Sequence, residues 1–274
     1  MSFYGTSMIF DGVACEEMGL VLYDFDVRAQ EATKFSSNLS ISEDRIDGRY
    51  RSLFYGGTVN EPLTFSMVMC ASEDRINKRE SFDRWDLQKI ASWLTGHAEY
   101  KWLTIVQPDM EGIRFRCICS DLEAIEIGSH KWGLSCKVTC DSPYAYMTPE
   151  VFTYSAPKGS ERQFEIFSKS THNGFYYPRI TISNHEGGNI SITVTNCNEN
   201  MTFSFVGLPS SVGSLTIDCE NGVITTDSGM NAYQYVDFSD DFKFPRFARG
   251  SNALRLSGRA TYSFTCEWPV NVGG

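Results

Sequence analysis

Apolar and polar residues alternate at a period of two through most of this chain, the pattern of strands with one dry face. Leu63-Thr64-Phe65-Ser66-Met67-Val68-Met69 shows it cleanly, and the stretches Ile113 to Cys119 and Lys131 to Cys140 repeat it. Shorter strands are predicted at residues 8–10, 19–23, 38–41, 101–106 and 122–127. Tyr55-Gly56-Gly57-Thr58 reads as a turn, since its glycines supply the positive φ of a tight connection. Pro108-Asp109 and Gly128-Ser129 read the same way. The period changes to that of a helix over Phe82 to Leu94, where Phe82, Trp85, Ile90, Trp93 and Leu94 are expected to share a face. Ser81 is placed to cap this helix, and Gly96 to end it in a left-handed conformation. Two tryptophans on one helix suit either ligand stacking or burial against a sheet, and burial is the reading adopted.

The strand Trp132 to Cys140 stops at Asp141-Ser142-Pro143, because proline removes a ladder donor and extends the residue before it. Tyr144-Ala145-Tyr146 follows, and then only strand patterns: residues 151–154, 163–167, 179–183, 189–195, 202–206, 214–219, 223–226, 253–256 and 260–267. Asn221-Gly222, set between alternating runs, predicts a hairpin with a type I′ turn. The expectation is a mainly β protein of two domains. Residues 1–146 form an α+β unit of antiparallel sheets with one helix, and 147–274 an all-β sandwich.

A length of 274 residues accommodates two such cores, and an aromatic content of 14% supports pleated surfaces. The net charge of −10 and the absence of a Lys/Arg stripe argue against sequence-specific nucleic-acid binding. That acidic balance fits solubility, the reading adopted, and would also suit a surface that repels passing DNA. The opening MSFYGTSMIFDG lacks the features of a secretory leader, and no apolar run is long enough for membrane insertion.

Candidate chemistry is sparse. The nine cysteines are odd in number. In strands, Cys117 with Cys119 and Cys136 with Cys140 each share a face, which would permit zinc on neighbouring strands. The spacings are not those of a zinc knuckle, so they are read as small buried hydrophobes, with no metal or cofactor. His97, His130, His172 and His185 are scattered, with no HExxH, GxGxxG or P-loop. Carboxylates such as Glu16-Glu17 and Asp240-Asp241 leave a glycosidase pair formally open, but no catalytic residue is assigned. Two aromatic clusters, Phe175-Tyr176-Tyr177 and Tyr233 with Tyr235, suit sugar stacking or, preferably, a protein contact.

Several segments in order carry a family likeness: SMIFDGVACEEMGLVL, DGRYRSLFYGG, PLTFSMVM, a helix ending in WL, CKVTCDSPYAY, YPRITISN, LTIDCENGVIT and PRFARGSNALRLSG. In these the chain resembles the distal tail protein family of long-tailed bacteriophages and prophages. The resemblance implies a homohexameric hub ring at the end of the tail tube, walled by a tube-like N-terminal domain. It also implies a galectin-like outer sandwich. Partners would be the tail tube protein, a tail-tip hub protein and, in some phages, a receptor-binding protein. The site would be the virion tail tip, assembled in the host bacterial cytoplasm. No galectin sugar signature is evident, and a carbohydrate-binding module is the alternative. In such a ring Arg45, Arg49 and Arg51, spaced to share a strand face, are expected to meet acidic residues of the adjacent subunit; a solvated face is the other reading.

Overall fold

Each alternating stretch becomes an antiparallel strand, and the pairing register puts its apolar positions on one face. A computed structural model describes residues 7–23, 40–58, 61–157, 161–239 and 242–272. The chain forms two compact units, Met1–Tyr146 with Asn271–Gly274, and Met147–Val270.

In the first unit β1 (Ser7–Phe10), β2 (Val13–Ala14), β3 (Leu20–Leu22), β4 (Ser40–Asp44) and β5 (Leu53–Thr58) precede β6 (Thr64–Ala71). Helices α1 (Glu73–Lys78) and α2 (Arg84–Thr95) follow, then β7 (Lys101–Val106), β8 (Ile113–Ile127), β9 (His130–Cys140) and β10 (Ala145–Met147). One antiparallel sheet runs in the order β2-β1-β7-β8-β9-β6-β3, while β4 and β5 make a separate two-stranded sheet. Its buried face carries Met8, Phe10, Met67, Met69, Leu103, Phe115, Leu134 and Val138.

Helix α2 lays Ile90, Trp93 and Leu94 on that core. Trp93 Nε1 donates to the Phe10 carbonyl at 3.1 Å, and the two rings meet edge to face. The cap is Asp83, two residues beyond the expected Ser81. Its carboxylate accepts from the backbone N–H of Trp85 and Asp86, both at 2.8 Å, and Asp86 reaches back to the Asp83 N–H. Trp85 is not on the buried face: it is 75% exposed. Five residues of helix turn it about 140° from Ile90, so the two cannot share a contact. Gly96 ends the helix at φ −75°, not left-handed. Glycine suits the position for another reason, since a Cβ there would stand 2.3 Å from the Ser92 carbonyl oxygen. The expectation of one helix also missed α1, which Arg79 closes at φ 58°.

The second unit is a sandwich. It is built from β11 (Glu150–Ala156), β12 (Arg162–Ser168), β13 (Arg179–Ser183), β14 (Gly188–Thr195) and β15 (Asn200–Leu208). β16 (Leu215–Asp218), β17 (Val223–Thr226), β18 (Gly250–Ser257) and β19 (Ala260–Cys266) complete it, and the two-residue β20 (Pro269–Val270) lies outside both of its sheets. One sheet runs β11-β19-β13-β16-β17 and the other β12-β18-β14-β15. Ile180, Ile182, Ile192, Phe203, Leu254, Tyr262 and Phe264 fill the space between them. Asn252 is wholly buried and satisfied: its Oδ1 accepts from Ala248 N, and its Nδ2 donates to the carbonyls of Ala248 and Gly250, all at 2.9 Å. The β16–β17 hairpin forms where Asn221-Gly222 predicts it, but through the four residues 219–222, closed by the Asp218–Val223 pair. Only Gly222 has positive φ, so the turn is not type I′.

Candidate assembly surfaces

β4 and β5 pair with each other as an arm, in the register Ile41 to Gly57 and Asp44 to Leu53. The stretch Tyr55-Gly56-Gly57-Thr58, expected to be a turn, is strand. Between Ser42–Gly56 and Glu43–Phe54 the register slips, leaving Tyr55 as the extra residue of a bulge, with Gly56 at φ 123°. A glycine inside a strand commonly marks such a bulge. The arm buries little of its apolar surface. Tyr50 is 89% exposed, Phe54 66% and Tyr55 63%, and Ile41 and Ile46 are exposed with them.

Arg45, Arg49 and Arg51 do not share a strand face. They lie in the connection between β4 and β5, a tight loop in which the Arg49 N–H donates to the Ile46 carbonyl at 3.1 Å. Gly48 and its positive φ of 86° make that reversal possible. All three guanidiniums are exposed. Among the described residues none of them forms an ion pair, and Arg51 rests only against the Tyr50 ring.

A second projection is the end of β8 and β9. β7 pairs with β8 only as far as Cys117, and β6 with β9 only as far as Gly133. Beyond those points the two strands continue together to the closing pair Ile127–His130. Gly128 and Ser129 both take positive φ, 58° and 68°, which is the expected tight turn. Glu126 and Ile127 are exposed on this tip, Ile127 at 58%, with Lys131 opposite Glu126; Asp121 and Glu123 are exposed farther back, where β9 still pairs with β6. The alternation in SDLEAIEI carried this signal, but it read as an ordinary solvated strand.

The four cysteines predicted to share faces do so. Cys117 stands opposite Cys140 across β8 and β9, and all four are buried free thiols. Donation to Cys119, together with burial, pushes the Cys117 and Cys136 thiols up, and burial pushes Cys140 up to about 12. Among the described residues no group of three or more His, Cys, Asp or Glu is arranged to hold a metal ion. An open groove of about 540 Å³ lies between α2 and the β1–β2 turn, lined by Trp85, Gln88, Lys89, Ser92, His97 and Asp11 among others. Asp11 is its one carboxylate and faces Lys101 at 3.6 Å, so the groove holds no glycosidase-type carboxylate pair.

In the sandwich the aromatic candidates are partly committed to the fold. The Tyr176 hydroxyl accepts from the Glu267 N–H at 2.7 Å, and its ring packs 4.7 Å from Trp268. Burial raises its pKa above that of ordinary tyrosine. Phe175 lies under the Arg246 guanidinium at 4.0 Å, and the Tyr177 hydroxyl accepts from the same group. Glu199 binds Arg246 through both oxygens at 2.6 Å, which holds its carboxyl below the usual range. Tyr233 bridges the β16–β17 loop, donating to the Gly222 carbonyl and accepting from the Ile224 N–H. Tyr235 is half-buried against the core.

Two family models account for nearly the whole chain. Residues 3–142 match a phage tail protein N-terminal domain and residues 144–266 a phage tail C-terminal domain. The chain belongs to this phage tail protein family. Among solved structures, the tail protein is similar in fold to the Dit protein of phage SPP1, whose structure is described as a paradigm of the hub adsorption apparatus in phages infecting Gram-positive bacteria. The TM-score is 0.65 at 10% identity, over 96% of this chain and 98% of that one. A chain of the phage p2 baseplate in its activated conformation covers similar shares, 96% and 97%, at a TM-score of 0.48 and 10% identity. No curated protein sequence matches. The chain is thus a mainly β phage tail protein with a Dit-like fold. Among its described residues no helix is long and apolar enough to cross a membrane.

Proposed function

We propose that this phage tail protein is one wedge of a hexameric hub ring at the distal end of a long tail. Residues 1–146 build the ring wall, and the sandwich 147–274 faces outward. The ring joins the tail tube protein to a tail-tip hub protein, and in some particles to a receptor-binding protein. It is assembled in the host cytoplasm before it reaches the virion.

The arm is the observation that carries this reading. An isolated two-stranded hairpin is at best marginally stable in water. This one also holds Ile41, Tyr50, Phe54 and Tyr55 open to solvent. An apolar patch of that kind marks an interaction surface. A ring supplies the cover by placing one surface of each copy on a different surface of the next. The Dit-like fold supports the choice of ring. The groove beside α2 holds one carboxylate, set against Lys101, and so no carboxylate pair. In the sandwich the exposed edges of Phe175, Tyr177 and Tyr235 are the contact available to an outer partner, whereas Tyr176 and Tyr233 serve the fold. Gold-labelled antibody against this chain, imaged on assembled particles, should mark the tail end farthest from the head. Label along the tube or on the head would overturn the assignment.

A further inference from the structure

We infer that Cys117 and Cys140 are a latent cross-strand disulfide, open while the chain is in a reducing cell and closed by a peroxide once it is outside. Only the change of compartment rests on the reading above; the bond itself belongs to the single chain.

Strand pairing sets these two thiols face to face. Cys117 stands directly opposite Cys140 across β8 and β9, and both are buried free thiols. Facing pairs in an antiparallel ladder alternate between hydrogen-bonded and non-hydrogen-bonded sites. The Asp141 N–H donates to the Arg116 carbonyl at 2.9 Å, so the adjoining pair is hydrogen-bonded. Cys140 turns its own N–H the other way, to the Leu63 carbonyl at 2.8 Å. Cys117 and Cys140 are therefore a non-hydrogen-bonded pair, a site whose Cα atoms stand about 4.5 Å apart. A disulfide spans Cα separations of about 4.4–6.8 Å, so the bond fits without sliding either strand.

The other two thiols of the cluster have no such partner. Cys119 faces Val138, and Cys136 faces Met67 on β6 and, on β8, the register slip between Ser120 and Glu123. Cys140 is also the last residue of β9, where the ladder stops at Asp141-Ser142-Pro143. Fraying at that end admits a small oxidant that the middle of the sheet excludes. Burial, which also keeps both thiols protonated, makes the closure slow. One thiolate attacks an oxygen of hydrogen peroxide, the O–O bond breaks, and a sulfenic acid and hydroxide result. The facing thiol attacks that sulfur, the S–S bond forms and the sulfenic oxygen leaves as hydroxide. With the two thiol protons, the products are one disulfide and two waters. The bond ties β8 to β9 behind their projecting end.

Peroxide oxidation of the full-length chain carrying Cys197→Ser, which removes the exposed thiol, tests the bond. After hours of exposure the protein is denatured, alkylated and digested with trypsin, which separates Cys136 from Cys140 by cutting after Lys137. The peptide that begins at Cys117 should be joined to the one that contains Cys140. The link should persist in C119A and vanish in C117A and in C140A, with circular dichroism showing that each variant is folded. Closure should raise the melting temperature of the first unit by about 5–10 °C. The comparison is with the same sample after dithiothreitol, which leaves any methionine sulfoxide in place. No link in the folded Cys197→Ser protein overturns the inference, and so does a link through Cys119 or Cys136. A link that survives C117A, or a bond that lowers the melting temperature, overturns it too. The six-fold ring stands or falls separately, by the mass of the assembly.

Discussion

Removing the apolar tip of the arm should separate assembly from folding. Tyr50 is 89% exposed and Phe54 66%, so neither contributes much to the stability of a single copy. Full burial of a side chain of this size is worth about 1.5–3 kcal/mol. The exposed fractions leave roughly 1–2 kcal/mol for Phe54 and slightly more for Tyr50 to gain on docking. Y50S/F54S should therefore weaken each contact by about 3 kcal/mol, roughly 150-fold in dissociation constant. The melting temperature of the isolated chain should move little, because surface changes typically cost within about 0.5 kcal/mol each. Sedimentation velocity across a dilution series gives the first quantity and thermal unfolding the second. Unchanged assembly in a folded variant refutes the reasoning. So does a large fall in melting temperature, which would mean that these side chains pack within their own chain.

Two further expectations concern the first domain and the thiols. Arg75 donates two hydrogen bonds to Asp86 at 2.9 Å and so holds that carboxyl below its usual range. A depressed carboxyl adds stability that is complete above the unfolded value near 4 and disappears as pH falls through the lower folded value. The melting-temperature advantage of the native chain over Asp86→Asn should thus hold from neutral pH to about 4.5 and shrink below about 4; an advantage that grows on acidification would contradict it. Only Cys197 is exposed and Cys70 half-buried, whereas the other seven cysteines are buried. Ellman's reagent should find one fast thiol in the folded protein, lost in Cys197→Ser, and all nine after denaturation; several fast thiols would break the core assignment.

The sandwich strands were legible because each apolar position has a polar neighbour and the strands are short. Residues 179–183 and 223–226, for example, appear with the boundaries their alternation indicates. Local chemistry misled where two explanations compete for one residue. Gly56 and Gly57 are turn formers by type, but glycine also marks a bulge, and only pairing with Ser42 and Ile41 decides. Ser81 and Asp83 are both good caps, and Asp83 wins because Asp86 stands three residues on to complete the reciprocal pair. Helix α1 has a single large apolar residue, Ile76, and so no periodicity to detect. Arg45, Arg49 and Arg51 fall in one loop between β4 and β5, whereas their spacing suggested a strand face that a loop does not have. The projecting end of β8 and β9 is not legible because Glu126 and Ile127 look like any wet strand until the pairing shows that they run past β6 and β7.

The proposed ring requires six copies to close through two unlike surfaces of residues 1–146. Native mass spectrometry of the purified full-length chain tests it most directly. At concentrations of tens of micromolar a discrete species of six chain masses of 30.9 kDa is expected, reduced to single chains by Y50S/F54S. A species of another fixed number, or one that survives the loss of the arm side chains, would contradict it.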